Sequence, residues 1–160
     1  MSLPSIEAQA RRNKAVRFRE SGETFVDRVV VTSAQVLALF ATPVTVVASP
    51  GDGYYIELIS ATIYKAAGTA YAGVAAGEDL FFGLGSSAIE CARIETTGFV
   101  DQATAQTRHI NGRAGTAAVA DYAPTGTGMA LVLGLLVGEI TTGDSDLKVE
   151  VRYRVHQTSW

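Results

Sequence analysis

The segment DLKVEVRYRVHQ constrains this chain more than any other stretch. Leu147, Val149, Val151, Tyr153 and Val155 alternate with Lys148, Glu150, Arg152, Arg154 and His156. Successive side chains of a β-strand leave opposite faces of the sheet, so this strict period of two sends an apolar row inward and a charged row outward. The segment therefore reads as a half-exposed strand.

Other stretches follow the same grammar. TFVDRVVVT, from Thr24, is rich in β-branched residues and is followed, after a polar break at Thr32–Gln35, by VLALF. PVTVVAS (Pro43–Ser49) alternates. YYIELISATIYKA (Tyr54–Ala66) sets Ile56, Leu58, Ser60, Thr62 and Tyr64 on one face and Tyr55, Glu57, Ile59, Ala61 and Ile63 on the other. Both faces are largely apolar, as in a central strand. DLFFGLGS and AIECARIETTGFV supply two more strands, the latter with an apolar register that slips near Cys91–Ala92 and predicts a bulge. GMALVLGLLVGEI is apolar on both faces and belongs mid-sheet, with Gly143-Asp144 as the turn into the last strand. Residues 66–77 and 101–128 read as loops; Asn111-Gly112 inside the second is a favoured hairpin pair.

Eight or so strands, no convincing internal helix and no repeat predict an all-β fold: a two-sheet antiparallel sandwich of jelly-roll type, with an immunoglobulin-like sandwich next. The division is a basic N-terminal arm over residues 1–22 and a sandwich domain over residues 23–160. At 160 residues one domain buries a core without staples, and the lone Cys91 excludes an intrachain disulfide or a CxxC site. The longest apolar run, MALVLGLLVG, is about half of what a helix needs to span a bilayer, so no membrane association is expected. No apolar signal core follows the N-terminal charges, so export is not expected either.

Charge is segregated. Residues 1–20 carry Arg11, Arg12, Lys14, Arg17 and Arg19 against Glu7 and Glu20, a net +3, while the whole chain is −3. The body is therefore acidic. A short helix capped by Ser5, an extension lying on a partner and a solvated tail all fit the arm. Charged residues are only 18% of the chain, below the average of about 25%, which suits a surface partly covered by neighbours. Coulomb attraction would bring the arm to an acidic protein surface before nucleic acid, since the arm has one aromatic, Phe18, and no nucleic-acid motif.

Catalytic signatures are weak. SPGDGYYIEL (Ser49–Leu58) raises a phosphate loop, but Gly53 precedes two tyrosines instead of Lys-Ser, and strand formers follow instead of a helix. A turn with Pro50 and Gly51 at its centre explains it better. The two histidines, His109 and His156, have no serine elbow near them, and Cys91 reads as a core residue. Asp144 and Asp146 with Glu150 offer too few oxygens in sequence for a calcium loop. No enzyme, cofactor or metal is expected.

The phrase ATPVTVVASPGDGYYIELISATIYKAAGTAYAG resembles a pattern of small structural proteins of tailed bacteriophages. Thr42, Pro43, Val44, Thr45, Pro50, Gly51 and Gly53 carry its first half; Gly68, Thr69, Ala70, Tyr71, Gly73, Asp79 and Leu80 carry its second. The resemblance covers about residues 42–85 and implies a virion component, in the first place a head decoration or cement protein. Such a protein would sit on the outer capsid surface and bridge subunits of the major capsid protein. The expected contacts are Arg11, Arg12, Lys14, Arg17 and Arg19 of the arm, and His109, Asn111 and Arg113 of the long loop. A homotrimer is expected before a homodimer. The alternatives are a tail, neck or head-fibre component, or a receptor- or carbohydrate-binding module using Tyr71 and Tyr122.

Overall fold

The computed structural model describes residues 23–87, 90–112 and 127–158; the arm over residues 1–22 lies outside them. Eight strands follow in chain order: β1 (Phe25–Val31), β2 (Val44–Val47), β3 (Tyr54–Lys65), β4 (Leu80–Leu84), β5 (Glu90–Ile94), β6 (Gln106–Asn111), β7 (Leu131–Leu135) and β8 (Leu147–Gln157). They form two four-stranded sheets, ordered β1-β8-β3-β6 and β2-β7-β4-β5. Every ladder is antiparallel.

The pairing identifies the wrap. First with last, second with seventh, third with sixth and fourth with fifth is the ladder of one long hairpin whose tip lies between β4 and β5. The remaining pairs, β3 with β8 and β4 with β7, arise when that hairpin coils on itself. An eight-stranded ribbon wound this way is a jelly roll, as the sequence suggested.

The core fills the space between the sheets. Ile56, Leu58, Ile63, Val149, Val151 and Tyr153 meet Phe82, Leu84, Leu131 and Leu133, all buried. The inward row of β8 is the one its alternation predicts, Leu147 to Val155. β7 is buried along its whole length between β2 and β4, and β3 is an inner strand. The bulge predicted near Cys91 is there. Phe82 faces Ala92 and Gly83 faces Glu90, so Cys91 is the extra residue and both Cys91 and Ala92 are buried.

Several expectations need correction. VLALF does not form a strand: Ser33–Leu37 is one helical turn, α1. Thr32 Oγ1 accepts from the Gln35 N–H while Gln35 Oε1 accepts from the Thr32 N–H, a reciprocal cap in the stretch read as a break. Val36 and Leu39, three apart, are then both buried. β3 is not apolar on two buried faces. Leu58 pairs with Tyr153 but Ser60 pairs with Arg152, so Ile59 is an inserted residue. A one-residue insertion flips everything beyond it. Ile56 and Leu58 point to the core before it, Ala61, Ile63 and Lys65 after it.

Residues 101–128 are not one loop, because β6 lies within them and pairs with β3. Asn111-Gly112 is not a hairpin tip. Asn111 faces Ser60 in the ladder, the Gly112 N–H donates to Ile59 O at 2.7 Å, and neither residue has the positive φ of that turn. Gly143-Asp144 does not close a hairpin either, since β7 and β8 lie in different sheets.

The opening SPGDG stretch is a strand-to-strand turn that carries the chain from one sheet to the other. Its hydrogen-bonded reversal sits two residues later than expected, centred on Asp52 and Gly53, with the Tyr54 N–H on Gly51 O at 3.3 Å and Gly53 at φ +79. Ser49 Oγ ties it to Gly128 O.

The GTAYAG stretch, read as a plain loop, is fastened to residues 139–145. The Thr69 N–H and hydroxyl both donate to Asp144, at 2.7 and 2.8 Å. Those bonds hold the Asp144 carboxyl below its ordinary range. Tyr71 is 2% exposed and its hydroxyl donates to Ser145 O. Burial, with Asp146 and Asp144 nearby, pushes its phenol up to about 12. In the second half of the resemblance, Thr69, Tyr71 and Gly73 are therefore among the residues that lock two loops together.

Candidate functional site: the outer face of one sheet

The register of β1-β8-β3-β6 lays its outward side chains in transverse rows. Val30, Lys148, Tyr64 and Thr107 form one row; Arg28, Glu150, Thr62 and His109 form the next; Val26, Arg152, Ser60 and Asn111 the third. Beyond them Arg154 faces Glu57 and His156 faces Tyr55. His109 and Asn111, expected in a loop, thus sit exposed on edge strand β6 and belong to this face. Arg113 and the arm cations Arg11, Arg12, Lys14, Arg17 and Arg19 lie outside the described residues.

The face carries four cations, Arg28, Lys148, Arg152 and Arg154, against Glu57 and Glu150. Both carboxylates are engaged. Arg28 reaches Glu150 at 2.8 Å, Arg152 lies 3.6 Å from it, and His156 Nε2 is 2.7 Å from Glu57. The Arg28 hydrogen bond is the largest cause holding the Glu150 carboxyl below its ordinary range. These pairs are exposed and add little stability; what they do is order the side chains. His156 also stacks on Tyr55 with ring centres 4.9 Å apart, and His109 Nδ1 is 2.9 Å from the Thr62 hydroxyl.

Apolar surface is interleaved with the charge. Val30 is 54% exposed, Val26 44% and Tyr64 38%. Lys148 Nζ lies over the Tyr64 ring, 5.9 Å from its centre. A groove of about 440 Å³ opens between these rows, bordered by Arg28, Val30, Thr62, Tyr64, Lys148 and Glu150. The arrangement can bind, with ordered charges, exposed apolar side chains and the Thr62–His109 pair side by side.

No protein-family model matches the chain, and no curated protein matches it. Among solved structures, a chain of the cyanophage Pam1 capsid asymmetric unit is similar, with a TM-score of 0.44 and 16% identity, over 82% of this chain and 83% of that one.

Elsewhere the sequence candidates have structural employment. Asp146 Oδ1 accepts the Ser33 N–H at 2.8 Å, and Asp144 holds Thr69, so the DxD pair ties loops down. Among the described residues no group of three or more His, Cys, Asp or Glu is placed to share a metal ion. Cys91 is 1% exposed. Tyr71, offered for sugar stacking, is buried and cannot stack on a ligand; Tyr122 lies outside the described residues. No helix among the described residues is long and apolar enough to cross a membrane.

Sequence reasoning placed Lys148, Arg152 and Arg154 outward but did not assign them to a site. The signal was the K-E-R-R-H row of the period-two strand. Arg28 joins them only through pairing of β1 with β8, which no local pattern reveals.

One buried acid is out of balance. Asp79 is 7% exposed, its Oδ1 has no hydrogen-bond partner, and Arg93 lies 3.6 Å from its Oδ2. Burial, then the neighbouring Glu95, raises its carboxyl above the ordinary range. A raised carboxyl favours the fold below its unfolded value, and that contribution is lost as pH rises through the folded value. Asp79→Asn removes the buried charge and can still donate to Glu95. The variant should resist urea better than the parent at pH 7, with the gain shrinking on acidification; a less stable variant at pH 7 would contradict this.

Proposed function

We propose that the chain is a non-enzymatic virion protein of a tailed bacteriophage, set on the outer capsid surface, where it bridges neighbouring subunits of the major capsid protein. The observation that carries this reading is a jelly roll, an architecture that viral capsid domains use, whose interior is filled by apolar side chains. A jelly roll that holds a ligand inside needs polar donors aimed inward. Here both histidines, with Arg28, Lys148, Arg152 and Arg154, lie on the outside of one sheet. The resemblance of residues 42–85 to small phage structural proteins points the same way.

Bridging needs two contacts per molecule. The basic arm supplies one, with Arg11, Arg12, Lys14, Arg17 and Arg19 reaching acidic sites on one capsid subunit. The sandwich, through β6 with His109 and Asn111 and the adjoining Arg113, supplies the other. Each contact of ordinary size buries about 800 Å² per partner, enough to oppose separation of the two subunits under internal pressure. A homotrimer at a local threefold would extend the link to more subunits. The carbohydrate-binding reading is weakened by the burial of Tyr71. The test is the composition of purified virions: the protein is expected there in fixed proportion to the major capsid protein. Finding it only in the unassembled fraction would overturn the reading.

A further inference from the structure

We infer that the outer face of the β1-β8-β3-β6 sheet is the docking surface for an acidic folded protein, with the groove beside Tyr64 receiving a carboxylate side chain of that partner. The inference rests on the virion reading for the partner's setting, and goes beyond it in naming the face and the partner's chemistry.

Charge complementarity carries it. The described part of the chain is acidic, yet this face holds four cations to two carboxylates, and both carboxylates are already engaged by Arg28 and His156. With Arg28 paired to Glu150, the face keeps Lys148, Arg152 and Arg154, all at outward positions of β8, against Glu57, a surplus of two positive charges. Lys148 stands over Tyr64 and beside Val30, two of the more exposed apolar side chains. A carboxylate entering the groove meets the Lys148 ammonium, Arg28 being already paired with Glu150, while its own methylenes cover Val30 and the Tyr64 ring. That mixture of apolar floor and charged rim is the make-up of a protein contact.

Two further observations select a protein over a polyphosphate. Glu57 and Glu150 stand in the two inner strands, at the middle of the face, where a phosphate backbone would pass over them. The arm, net +3, enters the fold through β1, which is the edge strand of this same sheet.

The experiment is co-sedimentation of the full chain with shells of the parent phage stripped of this protein, at low and at high salt. The wild type is compared with Lys148→Glu/Arg152→Glu/Arg154→Glu, with the milder Gln triple, and with Thr45→Glu, an exposed position on the opposite sheet. Unchanged thermal unfolding shows that a variant is folded; should the Glu triple fail to fold, the Gln triple decides. The inference expects the Glu triple to lose at least about tenfold in affinity at low salt, the Gln triple to lose less, and Thr45→Glu to bind as wild type. It also expects wild-type binding to weaken as salt rises. Reversed variants that bind like the wild type overturn the face while leaving the virion reading intact. Wild-type protein that ignores shells overturns both. Retention on duplex DNA, or salt-sensitive self-association lost in the same variants, would assign the face to another partner and overturn the inference.

Discussion

Replacing Gly143 by alanine should cost the fold about 3 kcal/mol or more, among the largest effects of any single methyl in this chain. Gly143 has φ +137, a conformation that L side chains rarely adopt, and a Cβ there would lie 2.1 Å from the Tyr71 ring. The ring cannot retreat freely, because its hydroxyl is held by Ser145 O and its edge is packed into the core. Strain and crowding therefore add. Gly77→Ala separates the two causes: φ there is +87, but nothing lies within 4 Å of the new methyl. Urea denaturation should show a loss of about 1 kcal/mol at Gly77 and a loss several times larger at Gly143. Equal losses would show that backbone strain alone matters and that the clasp between the two loops does not.

Phe82→Ala should destabilise by about 3–5 kcal/mol, the range for emptying a large buried aromatic site. Phe82 is fully buried on β4, an inner strand, and faces Leu133 on one side and Ala92 on the other. Neither neighbour can fill the void. The β4 backbone is held by ladders to both β5 and β7, so collapse of the cavity is opposed from two sides. Thermal or urea unfolding checks it; a cost under about 1.5 kcal/mol would mean that the sheets close on the gap.

The parts of the fold that were legible in the sequence are those where one side chain pattern has one solution. β8 alternates strictly because one of its faces is wet, and β7 is uniformly apolar because neither face is. The slip at Cys91 announced its bulge for the same reason. The insertion at Ile59 was hidden, because the residues on both sides of it are apolar in either register. Only pairing with β8 decides which set faces inward. α1 carried a readable cap in Thr32 and Gln35, but Val36 to Phe40 are also good strand formers, and the tie was broken by burial of Val36 and Leu39.

β6 was missed for a different reason. QTRHIN has no apolar alternation because its inward Arg108 covers the Phe99 ring, 5.2 Å from its centre, in place of a hydrocarbon side chain. Its amphipathic stem does the work of an apolar one. The candidate face was legible in halves. The cations of β8 were visibly outward, but their union with Arg28, Tyr64, His109 and Asn111 depends on which strands neighbour β8, a property of the wrap as a whole.

The most direct measurement is an image reconstruction of the intact virion with the chain located in it. The prediction is density for the jelly roll on the outer surface of the head, straddling two major capsid protein subunits, with the β1-β8-β3-β6 sheet turned toward the shell. Density inside the shell, contact with a single subunit, or particles that contain none of this protein would contradict a bridging role.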